Sequence, residues 1–295
     1  MTIGIAGIGR MGAAIAERLL GTGESVVVSN RTTGRLTPLL EAGATGAATP
    51  AALARASDVV LSILTDAAAI ESVYDGPDGV LAADLADKLV IEMSTVRPQT
   101  QQALAQRVRA RGGAFVECPV GGSVGPAREG KLFGFAGGEP ADVERARMVL
   151  NSLCRRIEHV GPVGAGSSVK LAINLPLLVY WQAFGEALSL CQPLGIDPQR
   201  LVDIFADTSG GPNVLKSRGP AIAKALNGAA PGATTFDVDS VRKDLATMIA
   251  EARGLGRTLP VTAQALACFD AASREGLGDA DCAQLLVRWL ASRPG

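Results

Sequence analysis

Short apolar runs recur along the first half of the chain, at residues 2–6, 25–29, 58–64, 88–92, 114–118, 132–136 and 156–160, and each predicts a buried strand. Between them lie segments with helical spacing, at 13–20, 36–42, 50–56, 99–111 and 140–151. Strands alternating with helices predict a mostly parallel, doubly wound α/β sheet. Beyond Gly161 and Pro162 the pattern changes. No further strand is predicted, and long helical segments follow at 167–194, 198–208, 238–255, 261–275 and 281–292. The chain therefore reads as an N-terminal Rossmann-type domain over 1–161 and an all-helical C-terminal domain over 162–295. Segment 167–194 is apolar around much of its girth and needs burial on several sides. A homodimer or higher oligomer formed through the helical domain is expected on that ground. Pro176 lies inside this segment and predicts a kink just after Asn174.

The junction between the first strand and the first helix carries candidate chemistry. It reads Gly7-Ile8-Gly9-Arg10-Met11-Gly12, three glycines in the order a dinucleotide site requires. Gly7 permits the tight turn, Gly9 lets a pyrophosphate approach the backbone, and Gly12 lets helix and strand pack closely. The helix start offers free N–H groups and a partial positive charge to the phosphates. About twenty residues further on, an NAD site usually places Asp or Glu against the ribose 2′-hydroxyl. This chain has Asn30-Arg31-Thr32-Thr33 there. Arg31 suits a 2′-phosphate, with Asn30 and Thr32 as further donors, so NADPH is the expected cofactor.

A second constellation lies at the domain junction, where Gly161 to Ser168 lead into Lys170 and Asn174. At spacing i, i+4 the two side chains share one helix face. A lysine so near a helix N-terminus is unfavourable as a mere surface charge, and burial with the dipole would lower its pKa, as acid–base chemistry needs. Spacing alone leaves an ordinary lysine beside a cleft equally open.

Composition narrows the function classes. The 295 residues carry 28 basic and 29 acidic side chains, which gives no footprint for nucleic acid or an anionic membrane. There is no uninterrupted apolar run of 18 residues, and no basic leader precedes the first strand. The five cysteines form no C-x-x-C pair and the single histidine is His159, so no metal site is expected. A cytoplasmic enzyme acting on a small molecule fits these bounds. His159 and Trp181 read as structural residues.

Four motifs together resemble the β-hydroxyacid dehydrogenases, in order across nearly the whole length. They are the glycine turn with its Met11-Gly12 step, Glu92-Met93-Ser94-Thr95-Val96-Arg97-Pro98, the stretch from Pro119 to Leu132, and Gly164-x-Gly166-x-x-x-Lys170-x-x-x-Asn174. The resemblance implies an oxidoreductase interconverting a small carbonyl compound, a semialdehyde or keto acid, and its hydroxy acid. It implies Lys170 as general acid/base with Asn174 supporting it. It further implies Leu64, Thr65, Asp66 and Thr95 along the cofactor, and Lys243 reaching it. One departure stands out. Where the family usually reads Pro-Val-Ser-Gly-Gly to hold a substrate carboxylate, this chain reads Pro119-Val120-Gly121-Gly122-Ser123, with the hydroxyl displaced by two positions. Other readings remain open. They are an imine reductase, in which another acid typically replaces the lysine, a longer decarboxylating enzyme of the 6-phosphogluconate type, a non-catalytic NADPH-binding module, and a purely structural role.

Overall fold

Strand β1 (Thr2–Ala6) lies in the interior of the sheet, as its apolar residues on both faces require. It pairs in parallel with β2 (Ser25–Ser29) on one side and β4 (Val59–Ser62) on the other. The short β3 (Thr45–Gly46) extends the sheet beyond β2, while β5 (Leu89–Glu92) and β6 (Ala114–Glu117) extend it beyond β4, all in parallel. The computed structural model describes residues 1–229 and 234–291.

Alternate residues of these strands face opposite layers. Ile3, Ile5, Val28, Leu61 and Ile91 pack with Ile15 and Leu19 of helix Arg10–Gly21 and with Val149 and Leu150 of helix Pro140–Leu153. Val27, Val60, Val90 and Phe115 face the other way, onto Leu53, Ile70, Leu104 and Val108 of helices Pro50–Arg55, Ala67–Tyr74 and Pro98–Ala110. Helices thus cover both faces, as the doubly wound pattern requires.

The sheet changes direction after β6. Strand β8 (Leu132–Gly138) runs antiparallel to β6 and also to the two-residue β7 (Val120–Gly121). Segments β6 and β7 lie end to end along one edge of β8, so residues 114–121 form one interrupted edge. On the other side of β8, β9 (Cys154–Gly161) pairs in parallel.

By its packing the chain forms two compact units, Met1–Ala172 and Ile173–Gly295, and the division falls inside the helix Ala165–Cys191. That helix continues through Pro176, which has no N–H to give the Ala172 carbonyl. In the second unit Trp181, Phe184 and Leu188 of this helix are buried. Phe184 meets Phe205 edge-on with ring centroids 5.1 Å apart. Helices Pro198–Ala206 and Asn213–Leu226 cross closely, since a Cβ on Gly219 would come within 2.8 Å of Val202. Helices Val238–Gly254, Pro260–Ala272 and Ala283–Ala291 complete the described part of this unit. The expected last helix ran to Ser292, which lies outside the described residues. Among those residues no helix is long and apolar enough to cross a membrane.

Candidate active site

Every candidate residue from the first unit sits just past the C-terminal end of a parallel strand or on the helix fastened there. Open α/β sheets bind ligands at this edge. The glycine turn follows β1, residues 30–32 follow β2, Leu64 and Thr65 follow β4, Thr95 follows β5, and the stretch up to Ser123 follows β6.

The three glycines of the turn have separable reasons. Gly7 has φ +95°, and a Cβ there would stand 2.6 Å from the Ile63 carbonyl oxygen. A Cβ on Gly12 would lie 2.0 Å from the Gly7 carbonyl oxygen. The fold demands both. At Gly9 an added Cβ meets no atom within 4 Å, and its backbone is extended with φ −86°. The protein itself does not require a glycine at position 9, and the open space there leaves the backbone approachable. Helix Arg10–Gly21 begins there with no side-chain cap and no acidic residue in its first turn. An uncapped helix start of this kind favours an anion, which fits a dinucleotide pyrophosphate.

Asn30 ties this turn to the next loop. Its Oδ1 accepts from the Ile8 N–H at 3.1 Å, and its Nδ2 donates to the Thr32 carbonyl at 2.9 Å. Its amide thus fixes the loop that carries the expected cofactor residues Asn30, Arg31 and Thr32. Arg31 is exposed and takes part in no hydrogen bond or ion pair among the described residues. Arg35, at the end of the single turn Thr33–Arg35, is exposed as well.

Beneath the next two loops lies a buried carboxyl that sequence reasoning did not single out. Glu92, the last residue of β5, accepts from the Ser94 N–H at 3.1 Å, from the Ser94 hydroxyl and from the Gln101 amide. Ser94 Oγ in turn accepts from the Leu64 N–H at 2.7 Å. One side chain therefore organises the backbone at both Leu64 and Ser94-Thr95. Burial pushes the Glu92 carboxyl up to about 7, against the pull of those hydrogen bonds. Asp66 acts locally, capping helix Ala67–Tyr74 by accepting from the Ala69 N–H at 2.8 Å.

Glu117, at the end of β6, performs a longer-range version of this. Its carboxylate accepts from the N–H groups of Gly164, Gly166 (2.9 Å) and Ser167 (3.3 Å) and from the Ser167 hydroxyl (2.6 Å). These are the first groups of the helix that carries Lys170. Burial raises the Glu117 carboxyl from its ordinary value, opposed by the same bonds. Lys170 follows on the next turn and is only 8 % exposed; Asn174, four residues further along the helix, is equally buried.

The displaced serine can be read at the level of single positions. Gly122 has φ +120°, and a Cβ would stand 2.8 Å from Leu132, so this glycine is fixed by the turn. At Gly121 a Cβ would make ordinary contacts at 3.7 Å with Phe133 and Phe135, and φ is not positive. Nothing in the fold excludes a side chain at 121. The Ser123 hydroxyl makes no hydrogen bond among the described residues.

Three further residues are accounted for. His159 Nε2 lies 3.0 Å from the carbonyls of both Gly138 and Gly161, so that nitrogen carries a hydrogen and holds the end of β9. Trp181 is 2 % exposed and packs against Tyr180 and under the Arg218 guanidinium. Lys243 belongs to the second unit, on helix Val238–Gly254, where its amine is 2.5 Å from Asp244.

Comparison with known proteins agrees with this arrangement. A family model described as the NAD binding domain of 6-phosphogluconate dehydrogenase matches residues 2–161. Another, described as the NAD-binding of NADP-dependent 3-hydroxyisobutyrate dehydrogenase, matches residues 164–290. The chain is 35 % identical over 272 residues to a 3-hydroxyisobutyrate dehydrogenase of Pseudomonas aeruginosa, covering 90 % of each chain. It is 32 % identical over 281 residues to glyoxylate/succinic semialdehyde reductase 1 of Arabidopsis thaliana, covering 95 % of this chain and 96 % of that one. The crystal structure of a 3-hydroxyisobutyrate dehydrogenase from Salmonella typhimurium superposes with a TM-score of 0.87 at 26 % identity, covering 98 % of this chain and 99 % of that one. The chain belongs to the β-hydroxyacid dehydrogenase family and is an NAD(P)-dependent oxidoreductase of the type acting on CH–OH groups.

Proposed function

We propose that the protein is an NADPH-dependent reductase or dehydrogenase that interconverts a small semialdehyde or keto acid and its hydroxy acid. Residues 1–161 form its cofactor domain and 162–295 its substrate and oligomerisation domain. The observation that carries the reading is Lys170, a residue 8 % exposed on a helix whose start is fastened to the ligand-binding edge of the sheet. Taking an ammonium group out of water costs several kcal/mol before its interactions offset it, and acid–base chemistry at a carbonyl is a role that would keep a lysine in such a place.

In this reading Gly7 to Gly12 hold the pyrophosphate, with Ile8, Gly9, Arg10 and Met11 offering N–H groups. Asn30, Arg31 and Thr32 receive a 2′-phosphate; Leu64, Thr65 and Thr95 border the nicotinamide half, and Lys243 reaches the same cofactor. The cofactor supplies a hydride to the carbonyl carbon. Lys170 gives a proton to the carbonyl oxygen, or takes it back in the oxidative direction, and Asn174 orients that lysine or the oxygen. Backbone N–H groups of Gly121 and Gly122, with the Ser123 hydroxyl, hold the substrate carboxylate. The preference for NADPH is supported by Arg31, which is exposed and engaged with no other described residue. It is also supported by the NADP-dependent enzymes for which one matching family model is named.

The protein acts in this reading as a cytoplasmic homodimer or higher homo-oligomer. All five cysteines are free thiols, as a reducing compartment favours. Ile173 is 46 % exposed on a helix that also exposes Ala172, Pro176 and Ala183, an apolar surface that a second copy would cover. The test is an initial-rate assay of NADPH oxidation with glyoxylate, succinic semialdehyde, small keto acids and a cyclic imine. Turnover of an aldehyde or keto acid, lost in Lys170→Met, is the expected result. Reduction of the imine alone would overturn the reading.

A further inference from the structure

The helix that carries Lys170 lacks the usual local device at its start. The residue before it is Gly164, which has φ +103° and no side chain to cap the free N–H groups. The cap comes instead from Glu117, 47 to 50 positions earlier in the chain. Two glycines clear space for that carboxylate. A Cβ on Gly137 would stand 2.4 Å from Glu117 Oε1, and one on Gly166 would stand 2.3 Å from the Phe135 carbonyl oxygen and 3.3 Å from the Glu117 carboxyl. Each Glu117 oxygen is directed at the helix start: Oε1 receives Gly164 and Gly166, Oε2 receives both groups of Ser167. Ser167 stands three residues before Lys170, so the height and rotation of the lysine above the sheet are set by where β6 ends.

We infer that Glu117 is the positioning residue for Lys170, clamping the helix start to β6 so that the amine is held at a fixed place relative to the segment Gly121–Ser123. The inference rests on the acid–base reading of Lys170. The negative carboxylate also offsets the positive end of the helix dipole, which otherwise disfavours an ammonium group on the second turn. An ordinary Ser or Asp at position 164 would cap the helix equally well; it would not tie the lysine to the strand that leads into Gly121–Ser123.

The test uses Glu117→Gln, which keeps the shape but loses acceptors, and Ser167→Ala, which removes a single donor. Hydrogen exchange is read over residues 164–172 without any substrate. Turnover is read with succinic semialdehyde and NADPH, and NADPH affinity by fluorescence titration. In Glu117→Gln, exchange over 164–172 should accelerate about tenfold or more, the effect of losing a charge-assisted bond. In the same variant kcat should fall roughly 10- to 100-fold, the cost of misplacing a catalytic group by about 1 Å, with NADPH affinity unchanged. Ser167→Ala should show both effects in weaker form and decides the matter if Glu117→Gln does not fold. Added to Lys170→Met, either variant should lower the residual rate no further, whereas a general loss of structure would.

Unchanged exchange over 164–172 in the variants that fold overturns the inference, whatever the turnover. So does normal kcat in both, if Lys170→Met is inactive. An active Lys170→Met instead removes the acid–base reading itself, and the exchange result then shows only that the clamp exists.

Discussion

Glu92 and Glu117 stand directly opposite each other in the register of β5 and β6, and both are fully buried. One carboxyl sets the two loops bordering the expected nicotinamide site, and the other sets the start of the Lys170 helix. Two adjacent carboxylates repel, and Glu117 adds to the rise of the Glu92 pKa.

That rise has a consequence for stability. The folded Glu92 binds its proton up to about pH 7, whereas a free glutamate releases it near 4.5. Between these values the folded state holds more protons than the unfolded state, so stability falls as pH increases. The contribution is complete below 4.5 and gone above about 7, with a slope of at most about 1.4 kcal/mol per pH unit for this one group. Urea denaturation at pH 5, 6, 7 and 8 should show the decline, flattened in Glu92→Gln. Parallel curves for the two proteins would contradict it.

Gly9 and Gly12 should respond in opposite ways to one methyl group. Gly9→Ala meets open space and should cost about 1 kcal/mol or less, the price of a poorer helix start. It should nevertheless weaken NADPH binding at least several-fold. Gly12→Ala drives a Cβ into the Gly7 carbonyl and should destabilise the fold by about 2 kcal/mol or more. Thermal melts with and without NADPH separate the two effects.

Cofactor choice should turn on Arg31. A charge-assisted bond to a 2′-phosphate favours NADPH over NADH by roughly 10- to 100-fold, and Arg31→Ala should abolish most of that ratio. Equal affinities in the parent protein, measured by titration of each cofactor, would remove the assignment.

Turnover should turn on Lys170. Lys170→Met should lower kcat by roughly 10²–10⁴ and leave NADPH affinity nearly unchanged. Asn174→Ala should lose less, because orienting the proton donor is a smaller contribution than being it. Ser123→Ala should raise KM with little change in kcat if its hydroxyl anchors the substrate carboxylate.

Static light scattering at micromolar protein should give twice the chain mass or more. A monomer would contradict the expectation drawn from the apolar helix 167–194.

The parts legible in the sequence were those encoded locally. The glycine turn is a strand, three glycines and a helix within about twenty residues, and the structure assigns Gly7 and Gly12 the roles their spacing implied. Alternation revealed the doubly wound sheet, but not the reversal at β8, because an apolar run carries no sign of strand direction. Helix Asn213–Leu226 was not anticipated; Gly219 and Pro220 sit inside it, and Gly219 is where Val202 approaches. Glu117 was passed over for a different reason. Its partners lie 47 to 50 residues away, and a single glutamate at the end of an apolar run has no periodicity to mark it.

Pairing of the interrupted edge β6–β7 with β8 makes the stretch from Glu117 to Ser123 a ruler. One mark clamps the lysine helix and the other carries the segment proposed to hold the substrate carboxylate. Inserting or deleting a residue would slide one mark against the other and shift every partner on β8, whereas exchanging side chains leaves the spacing intact. A hydroxyl at position 123 instead of 121 is the kind of change such a ruler permits, and since Gly121 has room for a side chain, substrate preference can drift there without rebuilding the enzyme.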